Sequence, residues 1–206
     1  MIYELCVVAK DSVTDENLNS LKDLCKEVMK EYKTELLIED DWGKRLFAQA
    51  SKNGSKQGHF LYFMYKGEAS ALNQELYRRL RINDHVHKFL NVNMGRERDL
   101  DTILKNYKTP FSRKYNGSVT DESEGMDAEK DRRRFARRRN CWFLARGIKA
   151  DWKDPKTYMW LINEFGKISP ARVSGVSTKH QRFVNSAIKR ARQLNIVSHL
   201  SDAVLK

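Results

Sequence analysis

The sequence predicts an α+β protein of two domains. The first is an antiparallel-sheet domain with the element order β-α-β-β-α-β, and the second is small, basic and mostly α-helical. Before residue 96, apolar residues form four strand-length segments and recur at helical spacing in two others. The charge then changes abruptly along the chain. Residues 1–128 carry 20 Lys/Arg and 21 Asp/Glu, whereas residues 129–206 carry 19 and 6.

The first domain, residues 1–98, is predicted to contain four strands and two helices. The strands cover residues 2–9, 35–49, 59–66 and 85–94. The second strand is expected to be interrupted near Asp40–Gly43, and Thr14 is the expected N-cap of the first helix. The apolar residues of that helix, from Leu18 to Tyr32, fall on one stripe. The second helix begins near Ser70. This order is the split arrangement of a ferredoxin-like sandwich, with both helices on one face of the sheet.

One face of the predicted sheet has no helix to cover it. Large apolar side chains lie on both sides of the third strand, so aromatic rings must project from the uncovered face. Such a face is usually an interaction surface, and solvation by a few charges is the alternative. We expect this face to dock the second domain through Phe60, Phe63 and Phe89.

No catalytic or cofactor site is predicted in the first domain. The third strand of an RNA-recognition domain reads basic-Gly-aromatic-Gly/Ala-aromatic. This sequence does not contain that motif, because Gly58 is followed by His59-Phe60-Leu61. His85 and His87 share one face in the predicted strand, but no third metal ligand is placed near them. Polar strand histidines are the better interpretation. Cys25 lies on the apolar stripe of the first helix and is interpreted as a core residue.

Composition excludes further classes of protein. The three cysteines, Cys6, Cys25 and Cys141, form neither a disulfide framework nor a Cys-x-x-Cys pair. No apolar run approaches the length of a membrane span, and the chain begins directly with a strand and no presequence. We therefore expect a protein of the reducing cytosol with no cofactor and no membrane partner.

A flexible polar linker is expected over residues 99–128. A short helix over residues 99–106 is followed by Thr109-Pro110, Asn116-Gly117-Ser118 and an acidic stretch that ends at Gly125. These residues offer little to a core and are typical of a connector. The second domain then covers residues 129–206.

Seven cations crowd into residues 130–139, whose sequence is KDRRRFARRR. Such a run is commonly a mobile arm or a solvated face. Its arginine content favours phosphate contacts, since a guanidinium can bind phosphate oxygens bidentately. The predicted RNA-binding residues of this arm are Arg132, Arg133, Arg134, Arg137, Arg138 and Arg139.

Two helices are predicted after the arm. The first begins at Asp154-Pro155 and ends at Gly166, with Tyr158, Leu161, Ile162 and Phe165 packed into the core. The last helix begins with a capping box made by Thr178 and Gln181.

The apolar residues of the last helix, from Phe183 to Leu194, span an arc of roughly 140°. The other side carries cations, and there is no acid between Ser177 and His199. Ordinary helix surfaces mix both signs of charge, so this pattern favours phosphate binding. The loop before the helix adds two cations close to its N-terminus, where exposed N–H groups favour anions. The predicted RNA-binding residues here are Lys167, Arg172, Lys179, Arg182, Lys189, Arg190 and Arg192.

Three segments of the first domain resemble bacterial small-subunit ribosomal protein six. They are EDDWGKRLFA (39–48), QGHFLYFMYKG (57–67) and LYRRLRINDHVHKFL (76–90). They follow the family's order of an acidic-Trp-Gly-basic-basic turn, a Lys-Ala-His-aromatic strand and a Leu-x-x-x-x-Arg-x-Asn-Asp stretch. The resemblance covers about residues 1–96.

The second domain resembles small-subunit ribosomal protein eighteen over about residues 132–200. That family's Gly-Lys-Ile-x-Pro-x-Arg-x-x-Gly loop corresponds to Gly166–Gly175. Its Lys-x-Gln-Arg and Ala-Ile-Lys-Arg-Ala-Arg motifs correspond to Lys179–Arg182 and Ala187–Arg192. Some members bind zinc through additional cysteines at the entry to the domain. This chain has Cys141 alone there, so no zinc is expected.

Both resemblances together imply a natural fusion of two partner proteins. The two families form a heterodimer on the platform of the bacterial small subunit, in the central domain of its rRNA. The implied function is that of a structural, non-catalytic constituent whose two domains dock on one another. Its implied partners are small-subunit rRNA and neighbouring platform proteins, in a bacterial cytoplasm rather than an organelle. The alternative is a translational repressor that binds a structured mRNA leader through the same surface.

Overall fold

The computed structural model describes residues 1–51, 54–67, 69–95, 100–107, 109–110 and 141–200. The chain divides into two units, which we call the N-terminal unit (Met1–Pro110) and the C-terminal unit (Phe111–Lys206). Most of the expected linker, and the whole arginine-rich arm, lie outside the described residues.

The N-terminal unit contains the predicted elements in the predicted order. The strands are β1 (Ile2–Lys10), β2 (Glu35–Leu46), β3 (Gln57–Lys66) and β4 (Val86–Gly95). The helices are α1 (Asp15–Glu31), α2 (Ala69–Ile82) and the short α3 (Leu100–Asn106). The four strands form one sheet in the order β2-β3-β1-β4, and all neighbours are antiparallel. The ferredoxin-like prediction is confirmed.

Helix α1 begins as its sequence predicts. The Thr14 side chain accepts a hydrogen bond from the backbone N–H of Asn17 at 3.5 Å, and Asp15 and Glu16 occupy the first turn. Acidic residues there are favoured by the helix dipole. The predicted apolar stripe is buried except for Tyr32, which lies at the C-cap and is 37% exposed.

Helices α1 and α2 cover one face of the sheet. Alternate residues of β1 and β3, including Leu5, Val7 and Phe63, pack there against Leu21 of α1 and Leu76 of α2. Burying each of these side chains contributes about 1.5–3 kcal/mol. Cys25 belongs to the same core, where burial raises the pKa of its thiol to about 12. It is therefore a core residue, as interpreted from the sequence.

A cluster of ion pairs joins the outer surfaces of the two helices. The Glu75 carboxylate accepts hydrogen bonds from Arg78 Nε and Nη2 at 2.8 and 2.6 Å and from Arg79 Nε at 2.7 Å. Arg79 Nη2 also donates to Glu31 of α1 at 2.8 Å. The hydrogen bonds from Arg78 and Arg79 lower the pKa of Glu75 to about 2.

This cluster predicts a loss of stability in acid. An unfolded glutamate has a pKa of about 4.3, so the stabilisation from Glu75 is complete above that pH and disappears as the pH falls towards 2. We expect Glu75→Gln to lower the free energy of unfolding at pH 7, and the difference from wild type to shrink steadily in acid. Denaturant unfolding at a series of pH values measures this difference. Glu164→Gln, at an exposed glutamate of the C-terminal unit, is the control. A difference at Glu75 that does not change with pH would contradict the prediction.

Strand β2 is continuous, and the expected interruption is a β-bulge. The pairing with β3 shifts register between Asp41 and Gly43, which leaves Trp42 as the extra residue. Gly43 has φ +73°, and its N–H donates to Asp41 Oδ1 at 2.9 Å. A bulge bends the strand without ending it. Here it accompanies a Trp42 side chain that is 2% exposed.

The open face, defined as the sheet face opposite α1 and α2, carries aromatic rings as predicted. The Trp42 ring stacks on Phe60 and Tyr62, with ring centroids 6.4 and 5.1 Å away. Tyr107, just after α3, stacks on Tyr62 at 5.1 Å, and its hydroxyl donates to Asp40 at 2.6 Å. The open face is therefore partly covered by side chains of the same unit.

Two of the three rings expected on the open face lie on the other side of the sheet. Phe63 is buried in the core beneath the helices, and Phe89 packs there edge-on to Tyr77 of α2 at 5.2 Å. Side chains alternate along a strand, so Phe60 and Phe63, three residues apart on β3, cannot share a face. Phe60 lies on the open face as expected, whereas the expected placement of Phe63 and Phe89 is wrong. A contact between Phe60 and the second domain stays a prediction.

A bulge also changes the pattern of β4. Val86 pairs with Ala9 and Lys88 with Val8, which leaves His87 as the extra residue. As a result Val86 and Phe89, three residues apart, both pack on the helix side of the sheet. His87 stacks on Phe47 at 5.4 Å. Within the described ranges, no group of three or more His, Cys, Asp or Glu side chains could hold a metal ion.

The C-terminal unit is built mainly from short helical segments and one long helix. They are α4 (Trp142–Arg146), two 3-10 turns (Pro155–Thr157 and Met159–Leu161), α5 (Ala171–Ser174) and α6 (Thr178–Gln193). Among the residues that the structure describes, no helix combines the length and apolar character needed to span a bilayer.

The helix predicted between Asp154 and Gly166 does not form. Asp154 caps only a 3-10 turn, and the chain then reverses so that Ile162 pairs with Ile168 in a β-bridge. The Asn163 side chain accepts hydrogen bonds from the N–H groups of Phe165 and Lys167 at 3.1 and 2.7 Å, which closes the turn. Asparagine competes with helical hydrogen bonding in this way. Tyr158 and Leu161 are still buried, but Phe165 is 65% exposed.

The capping box predicted for the last helix is also wrong. The N-cap of α6 is Ser177, and its backbone carbonyl accepts a hydrogen bond from the N–H of Gln181 at 2.9 Å. The side chain of Gln181 donates instead to the carbonyl of Ser169 at 3.0 Å. Gln181 therefore ties the preceding loop to the first turn of α6.

Candidate nucleic-acid interface

Helix α6 divides into a buried side and a charged side. The buried side chains are Val184, Ala187, Ile188, Ala191 and, just past the helix, Leu194. Phe183, expected at one end of the buried arc, is 41% exposed because it lies at the edge of the packed side. The long axis and rotation of α6 are thus fixed by its apolar contacts.

The other side carries what we call the cationic stripe, formed by Lys179, Arg182, Lys189 and Arg190. At 100° per residue these four positions fall within about 100° of one another and extend about 16 Å along the helix axis. Arg190 is half-buried and the other three are exposed. In the ranges that the structure describes, none of the four forms an ion pair with a carboxylate. The stripe is therefore available to an external anion.

Arg192 does not belong to the stripe. On the helical wheel Arg192 lies about 60° from Lys189, on the side away from the rest of the stripe and next to the buried side. Arg192 Nε donates to the carbonyl of Ser198 at 3.1 Å, and its Nη2 donates to the carbonyl of Gly166. Burial lowers the pKa of this guanidinium. Arg192 binds the protein's own backbone. Its wheel position could have indicated from the sequence that it lies off the stripe, but not which carbonyls it contacts.

The two loop cations predicted to bind RNA are exposed. Lys167 follows the turn closed by Asn163, and Arg172 lies in α5. Gly175 ends α5 in the left-handed conformation, with φ +70°. The side chain of Gln181 holds this loop against the first turn of α6. The loop that carries both cations is therefore fixed to the N-terminal end of α6, where the stripe begins. The six arginines of the arm, Arg132, Arg133, Arg134, Arg137, Arg138 and Arg139, lie outside the described residues.

A row of aromatic rings beside the stripe was not anticipated. We define the aromatic row as Trp160, Phe143, His180 and Phe183. Consecutive ring centroids are 6.0, 5.7 and 6.4 Å apart, and the first two contacts are stacked. Phe143 is fully buried, whereas Phe183 reaches the surface. The i, i+3 spacing of His180 and Phe183 is the only part of this row that the sequence displays.

Cys141 contacts His180 of the aromatic row. Its Sγ is 3.6 Å from His180 Nδ1, which is also 2.8 Å from Ser177 Oγ. Burial acts to raise the pKa of the thiol, but hydrogen bonds from Ser177, Leu144 and Phe143 together lower it below its ordinary value. Within the described residues this pair has no third metal ligand.

The two units together have the charge distribution of a nucleic-acid-binding protein. A sheet unit of neutral composition is followed by a small unit whose long helix bears cations and no acid, which is the footprint of a protein that binds nucleic acid through phosphates.

Comparison with known proteins identifies the family. Residues 2–93 match the family model of Ribosomal protein S6, and residues 146–197 match that of Ribosomal protein S18. Small ribosomal subunit protein bS18 of Syntrophobacter fumaroxidans is 44% identical over 75 residues, which cover 36% of this chain and 93% of the relative. The bS18 protein of Pelobacter propionicus is 38% identical over 91 residues, covering 44% and 97%. The chain therefore belongs to the S18 family, and it joins S18 to an S6 sequence in one polypeptide, as the resemblances implied.

One solved structure is similar to about half of the chain. The crystal structure of 30S ribosomal protein S6 from Thermotoga maritima matches with a TM-score of 0.43 and 20% identity, covering 50% of this chain and 94% of that chain.

Proposed function

We propose that this protein is a structural, non-catalytic constituent of the small ribosomal subunit and that it binds small-subunit rRNA through the cationic stripe of α6. The observation that carries the proposal is the absence of any acid between Ser177 and His199, on a helix whose rotation is fixed by its buried side. The matches to the S6 and S18 families, and relatives that are small ribosomal subunit proteins, support the choice of subunit.

The chemistry of the stripe suits the RNA backbone. Phosphates bound by Lys and Arg release condensed counterions, and this release provides most of the sequence-independent affinity. Arg182 and Arg190 add planar guanidinium groups that can bind two phosphate oxygens at once. Lys167 and Arg172 extend the same positive surface into the loop. The arm between residues 130 and 139 supplies seven more cations to the same domain.

We further propose that the two units dock on one another and that residues 99–128 act as their tether. The aromatic rings of the open face and the pairing of the two families implied by the resemblances support this. Tyr107 is fixed to Asp40 of the N-terminal unit, so the free tether would begin after Tyr107 and not at Asp99. Two sites joined by a tether that can span them have an effective concentration in the millimolar range. Docking would then persist at any dilution of the chain.

The proposed partners and location follow from the proposal that this chain is a ribosomal protein. The proposed partners are the rRNA of the central domain and the neighbouring proteins of the platform, and the proposed location is a bacterial cytoplasm. The relatives that support this are bacterial proteins of the small subunit.

Crosslinking in cells tests the proposed function. Ultraviolet crosslinking of the full-length chain, followed by sequencing of the recovered RNA, is expected to give reads concentrated in one region of small-subunit rRNA. The Arg182→Gln/Lys189→Gln variant should recover less of that region at equal expression. Recovery of a messenger RNA leader in place of rRNA would contradict the proposal and support a translational repressor.

A further inference from the structure

We propose that Phe183 is a stacking platform for an unpaired base of the bound RNA. The inference rests on the proposed function, because it assigns a second kind of contact to the same surface. If this is correct, the RNA element that the chain recognises contains at least one unstacked nucleotide next to the phosphates that the stripe binds.

The first support is the exposure of the ring. Phe183 is 41% exposed, although it lies on a helix whose other apolar side chains are buried. A phenyl ring left at the surface loses the hydrophobic stabilisation that burial would give it. A nucleobase provides a flat partner that can cover such a ring, and every base has a π-face to offer.

The second support is the charge around the ring. On the helical wheel Phe183 lies within about 40° of both Lys179 and Arg190. The surrounding segment contains no acid from Ser177 to His199. A surface that docks another protein usually has few charges at its centre, whereas stacking platforms for single strands lie in positively charged grooves. One nucleotide could place its base on Phe183 and its phosphate on the stripe.

The third support is that the ring is held in place. Phe183 is the last member of the aromatic row, and its edge contact with His180 continues into the stacked contact between His180 and the fully buried Phe143. The Ser177 hydroxyl is 2.8 Å from His180 Nδ1, which further fixes the imidazole. A preorganised ring costs less conformational entropy on binding than a mobile one.

The experiment compares Phe183→Leu, Phe183→Trp and Phe165→Leu in the full-length chain. Leucine keeps apolar bulk but removes the π-face, and tryptophan keeps a π-face. Phe165 is a matched control, since it is 65% exposed in the same unit but lies outside the aromatic row. The probes are a central-domain transcript of bacterial small-subunit rRNA, a short unstructured RNA and the fully paired duplex of that RNA. Thermal unfolding confirms that each variant is folded.

Phe183→Leu is expected to weaken binding of the transcript and of the unstructured RNA by about 5- to 150-fold, equal to about 1–3 kcal/mol for one stacked base. Binding of the duplex should not change, and the dependence of affinity on salt should stay the same because no cation is removed. Phe183→Trp should bind like the wild type, and so should Phe165→Leu.

Three results would overturn the inference while leaving the proposed function intact. In the first, Phe183→Leu binds all three RNAs with wild-type affinity. In the second, Phe183→Leu loses equal affinity for the unstructured RNA and for its duplex. In the third, the wild-type chain self-associates, and Phe183→Leu abolishes this self-association without changing the affinity for RNA. The last would assign the ring to a protein contact. A wild-type chain that binds none of the RNAs would contradict the proposed function and overturn this inference with it.

Discussion

Charge reversal at Arg182 and Lys189 is expected to lower the affinity of the full-length chain for small-subunit rRNA by about two orders of magnitude. Each reversal removes one attraction to a nearby phosphate and adds one repulsion. At about 5 Å in water each of these is worth roughly 0.8 kcal/mol. Arg182→Glu with Lys189→Glu therefore changes the binding free energy by about 3 kcal/mol. Filter binding at fixed salt measures the effect.

The control for this prediction carries the same change in net charge elsewhere. Lys30→Glu with Lys105→Glu alters two exposed lysines of the N-terminal unit and should change affinity far less. Salt titration gives a second criterion. If about five to eight phosphates are neutralised, the wild-type log–log slope is roughly −4 to −7, and neutral Gln variants at both positions should reduce its magnitude by about two. Equal losses in the two charge-reversal variants would mean that overall charge, and not the stripe, determines binding.

Phe60→Ala is expected to lower the stability of the N-terminal unit by about 3–5 kcal/mol. The Phe60 ring is 2% exposed, stacks with Trp42 and contacts Phe47 edge-on at 6.1 Å. Truncation leaves a cavity between these rings and removes aromatic contacts on both sides. Native-state hydrogen exchange of the β1 and β3 amides measures the stability of this unit separately from the other.

The matched substitution is Phe165→Ala, at a ring that is 65% exposed. Surface substitutions of this kind usually stay within ±0.5 kcal/mol. An effect below about 1 kcal/mol at Phe60 would contradict the packing described here. The burial of Phe60 also means that an Asp at this position would destabilise the unit itself. It cannot serve as a probe of docking alone.

The sheet domain could be predicted because several independent patterns agree there. The Thr14 cap marks the start of α1 and the stripe from Leu18 to Met29 marks its buried face, and the structure confirms both. Strict alternation would also have placed Phe60 and Phe63 on opposite faces. The face of Val86 could not be predicted, because it depends on a bulge at His87 that is set by pairing with β1.

The C-terminal unit was less predictable because its short segments depend on tertiary contacts. The spacing of Tyr158, Leu161 and Ile162 fits a helix, yet the side chain of Asn163 and the pairing of Ile162 with Ile168 produce a turn. The acid-free side of α6 was visible in the sequence. The contacts of Arg192 with Ser198 and Gly166 were not, because they join residues brought together only by the fold.

We propose that this chain is a constituent of the small ribosomal subunit and that the cationic stripe of α6 holds it there. The amount of chain per small subunit tests this, measured by quantitative mass spectrometry across a sucrose gradient of cell lysate. We predict equimolar wild-type chain in the small-subunit fractions and strong depletion of the Arg182→Glu/Lys189→Glu variant from them. Wild-type chain that remains at the top of the gradient while small subunits sediment normally would contradict the claim.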